Sequence, residues 1–111
     1  MEASTIVPFA EFKKLDIRVA RVKSVEPHPN ADRLYVLKVD IGGAERQIVA
    51  GLKNYYTPEQ LQDRTIVIVT NLEPAVLRGV ESQGMLLAAQ DGNNVMLLQP
   101  DRQTAPGAKV L

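Results

Sequence analysis

The stretch from Leu15 to Lys23 constrains the fold more than any other part of the chain. Leu15, Ile17 and Val19 alternate with Asp16 and Arg18, the period of two that marks a half-buried strand. The alternation then changes phase, and Ala20 and Val22 alternate with Arg21 and Lys23. A phase change inside a strand is what a β-bulge produces, and it bends the strand sharply. Long, bent first strands are typical of small closed barrels, where each strand must curve to meet its neighbours.

The remaining segments fit that architecture. Two prolines deprive Pro27-His28-Pro29-Asn30-Ala31-Asp32 of ladder donors, so this segment is a loop. Tyr35, Leu37, Val39 and Ile41 alternate as a second strand, Gly42-Gly43 turns a hairpin, and Gln47 to Ala50 returns as a third. Thr57-Pro58-Glu59-Gln60 starts a short helix, in which Thr57 caps, Pro58 takes the first helical position and Gln60 completes a capping box. Arg64 to Thr70 reads as a fourth strand, with Ile66-Val67-Ile68-Val69 apolar on both faces. After an irregular stretch, Met85 to Ala89 and Val95 to Leu98 are strands joined by the hairpin signal Asp91-Gly92-Asn93-Asn94. Ahead of the first strand, residues 8–14 predict one or two helical turns that begin at Pro8 and place Phe9 and Phe12 on one face. Three strands, a short helix and then further strands, with a bent first strand, is the order of the OB-fold, an all-β five-stranded Greek-key barrel. One domain is expected over residues 1–111, with its core over 12–90. Apolar surplus such as Val95 to Leu98, in the extension 91–111, is expected to bury against a second copy of the chain.

Composition narrows the function classes. Thirteen Lys and Arg residues balance 13 Asp and Glu, so nonspecific nucleic-acid binding through a basic surface is excluded and any such role needs a local patch or a shape match. Residues 1–55 carry nine basic and seven acidic groups and residues 56–111 four and six, which leaves room for a small basic site in the first half. The absence of cysteine removes disulfides, thiolate zinc sites and cysteine nucleophiles, and suits a cytoplasmic location. No apolar run approaches the ~20 residues of a membrane helix. Met1-Glu2-Ala3-Ser4 lacks the basic lead of a secretory signal.

Catalysis finds little support. His28 is the only imidazole and stands between two prolines; Asp32 is within reach, but two residues do not make a metal site, and loop packing is the simpler role. Gly79-Val80-Glu81-Ser82-Gln83-Gly84 misses the nucleophile-elbow spacing by one residue. Neither a catalytic centre, a metal nor a cofactor is expected. A binding surface is better supplied. The middle strands and bordering loops of an OB-fold commonly read nucleic acid, and Arg33, Arg46 and Lys53 fall there, with Arg78 in the loop before the fifth strand. Asn71, Ser82 and Gln83 sit beside this region as polar groups able to approach a backbone. Tyr35, Tyr55 and Tyr56 are the only candidates for base stacking, which favours recognition of a folded RNA shape over long single strands.

Five motifs in order bring a family into view: Leu15-Asp16-Ile17-Arg18-Val19-Ala20, His28-Pro29-Asn30-Ala31-Asp32-Arg33-Leu34, Arg46-Gln47-Ile48-Val49-Ala50-Gly51, Asn71-Leu72-Glu73-Pro74 and Gly79-Val80-Glu81-Ser82-Gln83-Gly84-Met85. Together they resemble the tRNA-binding domain at the C-terminus of bacterial methionyl-tRNA synthetase, which free-standing structure-specific tRNA-binding proteins share. Similar domains occur in synthetase-associated cytokine precursors and in the CsaA export chaperones. The resemblance implies a noncatalytic OB-fold homodimer that binds tRNA by shape, without reading an anticodon, free-standing or as an appendage of methionyl-tRNA synthetase. Asn71, Ser82, Gly84 and Met85 match the family's tRNA-contacting motif, with Arg33, Lys53 and Arg78 as basic support and Gln83 beside them. Met85 has an equal alternative as fifth-strand core. A CsaA-like chaperone that binds unfolded peptides is the alternative function; Asn71-Leu72-Glu73-Pro74 and Ser82-Gln83-Gly84-Met85 look like the synthetase type.

Overall fold

In the computed structural model, which describes residues 5–111, β1 (Ile17–Pro27) is shared between two halves of one sheet. The reading of Met1 to Ser4 as free of a signal lies outside the described residues. β1 pairs antiparallel over Ile17 to Arg21 with β4 (Thr65–Val69), and over Arg21 to Pro27 with β2 (Tyr35–Asp40). β2 in turn pairs along its whole length with β3 (Glu45–Ala50), and β4 with β7 (Met85–Leu86). The strand order β3-β2-β1-β4-β7 makes a nearly closed five-stranded antiparallel barrel of the OB type.

The bulge exists, but not where the phase changes. Register between β1 and β2 shifts between Val22 and Ser24, which makes Lys23 the extra residue, whereas Ile17 to Arg21 pair with β4 without a break. The phase change at Val19-Ala20 has another cause: β1 carries apolar side chains of low exposure on both faces. Ala20 and Val22 point into the main core with Leu37, Ile48 and Ile66, while Ile17 joins Val67 and Val69 in a second cluster. Each fully buried Leu or Ile contributes ~1.5–3 kcal/mol, so the main core dominates stability.

α2 (Pro58–Leu61) is the predicted capped turn. Thr57 Oγ1 accepts the Gln60 N–H at 3.2 Å and Gln60 Oε1 accepts the Thr57 N–H at 2.8 Å, which orients Leu61 into the core with no exposed surface. In α1 (Phe9–Phe12), Pro8 is the N-cap rather than the first helical residue, and both phenylalanines stay exposed.

The C-terminal third departs most from expectation. Between Thr70 and Met85 lies a hairpin that periodicity does not mark, β5 (Ala75–Leu77) against β6 (Val80–Ser82), closed by the two-residue turn Arg78-Gly79. The strand expected over Met85 to Ala89 breaks at Leu87: β7 stays with β4, and β8 (Ala88–Asp91) pairs instead with β9 (Asn94–Leu97). Val95 and Leu97 pack against the core of their own barrel, whereas Met96 and Leu98 of the same segment stay exposed. Leu97 is part of the main core and its N–H donates to Tyr56 Oη at 3.1 Å. Residues 107–110 then run along the edge of β1 that β2 leaves free, through Val19 N–H to Ala108 O, Gly107 N–H to Val19 O and Val110 N–H to Ile17 O. Among the described residues no helix is long and apolar enough to cross a membrane.

Candidate functional site

The barrel closes between β3 and the β6–β7 segment, and side chains make much of that seam. Ser82 is buried; its hydroxyl accepts the Val49 N–H and donates to Gly84 O, each at 3.0 Å. Gln83 Oε1 accepts the Gln47 N–H at 2.9 Å, the Gln83 N–H donates to Gln47 O, and Gln47 Nε2 donates to Glu81 O at 2.7 Å. Gly84 lies so close to β4 that a Cβ there would stand 2.7 Å from Val69 O, with Ile48 Cδ1 at 3.1 Å. Only glycine lets the chain pass, as the approach of two backbones requires. The residue after it, Met85, is half exposed, which removes its fifth-strand core alternative.

A second group forms at one end of the barrel. Arg33, in the β1–β2 loop, and Arg78, in the β5–β6 turn, line one cleft with Ala31, Asp32 and Leu34. Lys53 follows through its N–H, which donates to Arg33 O. Among the described residues neither Arg33 nor Arg78 is in an ion pair, so both guanidinium groups remain available to an anion. Arg78 has φ 54° and Gly79 φ 90°, the left-handed pair of a type I′ turn. Asn or Gly is the usual choice at that first position; an arginine there accepts strain on the order of 1 kcal/mol, and strained residues of this kind cluster at functional sites.

His28 links the two loops. Its Nδ1 accepts the Asn30 N–H at 2.9 Å, so Nε2 carries the proton and donates to Leu77 O at 2.8 Å. The imidazole is buried and turned away from any role with Asp32, as loop packing requires.

Asn71 stands apart from the basic cleft. Its Oδ1 accepts the Asp16 N–H at 2.7 Å and its Nδ2 donates to Lys14 O at 2.6 Å, pinning the entry to β1 beside the end of β4. In the same junction the Thr70 hydroxyl donates to Asp16 Oδ2 at 2.7 Å and Arg18 Nε reaches the carboxylate at 3.0 Å; these two contacts, in that order, hold the Asp16 carboxyl below the ordinary aspartate range.

The predicted residues thus fall into three places: Arg33 and Arg78 in one cleft with Lys53 joined to Arg33 through the backbone, Ser82 and Gln83 in the seam, and Asn71 and Met85 at the β4 end with Gly84 between seam and strand. Arg46 is half-buried on β3 opposite Val39. Of the tyrosines only Tyr55 is exposed; Tyr35 is buried with its hydroxyl on Tyr56 O at 2.8 Å, and Tyr56 packs under Arg64. Sequence reasoning missed the two anchors of the Arg78 turn, His28 and Asn30. The signal that was there is the Arg78-Gly79 pair between alternating residues, a weak form of the Asn-Gly hairpin sign.

Comparison with known proteins bears on the family and the fold. The family model described as "Putative tRNA binding domain" matches residues 17–109. The methionine–tRNA ligase of Pyrococcus furiosus is 62% identical over 104 residues, 94% of this chain; the chain spans only 14% of that relative's length. Among solved structures, a MetRS-related protein from Pyrococcus horikoshii superposes with a TM-score of 0.89 at 35% identity, covering 97% of this chain and all of that one. The CsaA chaperone protein from Picrophilus torridus reaches the same TM-score at 30% identity, over 96% of this chain and all of that one. The match is to a binding domain rather than to a catalytic one. With the five ordered motifs, the OB-type barrel and the model match over most of its length, this chain belongs to the tRNA-binding domain family.

Proposed function

We propose that the chain is a noncatalytic module that binds tRNA by its folded shape, either as a free-standing homodimer or as the C-terminal appendage of a methionyl-tRNA synthetase whose tRNA affinity it raises. The observation that carries this reading is the meeting of Arg33 and Arg78, from separate loops, in one cleft with Lys53 beside it. Unpaired guanidinium groups suit phosphate oxygens, and a few cations per protomer suit contact with a backbone rather than with bases. Asn71, Gly84 and Met85 form the second part of the surface; Ser82 and Gln83 serve it by holding β7 in place. Glu73 and Glu81 border this surface and keep the affinity of a single protomer low. The 111 residues act as one cytoplasmic domain. An exposed apolar groove on the outer face, lined by Ile17, Val67, Leu87, Leu98 and Val110, supports pairing of two copies, which would multiply weak contacts through effective concentration.

Filter binding of total tRNA against duplex RNA and single-stranded DNA tests the reading. Tighter retention of tRNA supports it, and equal or absent retention of all three refutes it. The logarithmic salt slope should be about −2 to −3 per protomer, as few phosphate contacts require. Arg78→Asn is the sharpest variant: asparagine relieves the left-handed strain, so stability should hold while tRNA retention falls. Suppression of the aggregation of an unfolded client with no tRNA retained would favour the CsaA-like alternative, which the Picrophilus torridus structure makes the natural competitor.

A further inference from the structure

We infer that His28 is a positioning residue for the basic cleft: a clasp that fixes the Arg78 turn against the loop carrying Arg33. The inference rests on the reading of that cleft as the tRNA site. β5 has little else to hold it, because Ala75, Val76 and Leu77 are all exposed and apolar burial therefore anchors the strand poorly. Beyond its pairing with β6, the stretch 72–80 has two hydrogen bonds to the rest of the molecule among the described residues. These are His28 Nε2–H to Leu77 O at 2.8 Å and Asn30 Nδ2–H to Arg78 O at 3.3 Å.

Both bonds start in the β1–β2 loop and end on the residues that lead into the Arg78-Gly79 turn. The imidazole is rigid and bonded at both nitrogens, with Nδ1 tied to its own loop through Asn30 N–H and Nε2 tied to the hairpin. It therefore sets the distance between two loops rather than merely filling space. Pinning Pro27 and Pro29 on either side limits the loop's own freedom, so the constraint passes to the hairpin. An arginine on a located turn loses less freedom on meeting a phosphate than one on a swinging hairpin, and binding gains by that difference.

The test compares His28→Gln, which keeps one donor and one acceptor, with His28→Phe, which fills the space and offers neither. Trypsin cuts after Arg78 when the hairpin opens, so the rate of that cut in the full chain without RNA reads the clasp directly. His28→Phe should be cut roughly fivefold to tenfold faster, the scale of one lost hydrogen bond, and His28→Gln close to the wild-type rate. Unchanged cutting in His28→Phe overturns the clasp. Retention of total tRNA then reads positioning: His28→Phe should weaken it about as much as Arg78→Asn, and combining the two should weaken it no further, because a mislocated arginine and a missing one are equivalent. Additive losses would show a general structural role and overturn the inference. Faster cutting together with an inert Arg78→Asn would leave the clasp standing and refute the tRNA reading of the cleft. Asn30→Ala, at an exposed position, gives the same comparison with smaller changes of the same sign if His28→Phe does not fold.

Discussion

β3 is held on its two edges in different ways. Toward β2 it is zipped by an unbroken ladder from Tyr35–Ala50 to Asp40–Glu45. Toward β6 and β7 it is held by the Ser82 hydroxyl, the Gln83 and Gln47 amides, and the passage that Gly84 permits. A ladder is made by the backbone and tolerates most side chains; a seam made by side chains fails when one of them is changed. Of the proposed contact residues, Gly84 and Met85 adjoin the seam, while Arg33 and Arg78 meet in a cleft away from both edges of β3.

The largest test of this contrast is Leu37→Ala on the ladder side. Leu37 is fully buried, so its loss should cost ~2–5 kcal/mol in urea unfolding, while the folded fraction keeps its tRNA affinity. On the seam side, Gly84→Ala should cost about 2–3 kcal/mol by overpacking against Val69 O and should also displace Met85, lowering tRNA retention. A Gly84→Ala protein with full stability would mean that the seam yields freely, and the contrast would fall. Ser82→Ala leaves the Val49 N–H buried and unpaired, for ~1–3 kcal/mol; an exposed ladder residue such as Lys38→Ala should stay within ~0.5 kcal/mol.

The Asp16 junction offers a pH test. A carboxyl held below its ordinary range stabilises the fold when ionised, so its contribution is complete above about pH 4 and disappears as pH falls through the lowered folded value. Asp16→Asn should therefore be less stable than wild type at neutral pH, with the difference shrinking below that range. A difference that persists unchanged in acid would assign the effect to packing instead. The smallest change is expected at Lys14→Ala, whose pair with Glu11 at 2.9 Å is exposed at both ends and should shift the melting midpoint hardly at all.

What could be read from residues alone was whatever leaves a local trace. The alternation of Tyr35 to Ile41 marked β2, the capping box marked α2, Asp91 to Asn94 marked the β8–β9 turn, and the ordered motifs marked the family. Local patterns misled where apolar side chains sit on both faces: β1 packs Ala20 and Val22 into the core and sets Ile17 beside Val67 and Val69 on the outer face, so its apolar phase slipped at Val19 while its register slipped at Lys23. Val95 and Leu97 looked like surplus because their cover, the Tyr56 side of the barrel, is some 40 positions away in the chain, on the order of a whole strand–helix–strand unit.

The sequence by itself determined β1 to β4, the capped helix, the barrel class and the types of residue available for binding, because side-chain periodicity and turn chemistry are short-range effects. Only the tertiary structure decided that Ser82 and Gln83 close the barrel, that Arg33 and Arg78 share a cleft, and that His28 spans the loops between them. Each of those depends on one side chain meeting a main-chain group or a neighbour far along the chain. Such contacts are fixed by the direction in which the barrel curls, and no period in the sequence records it.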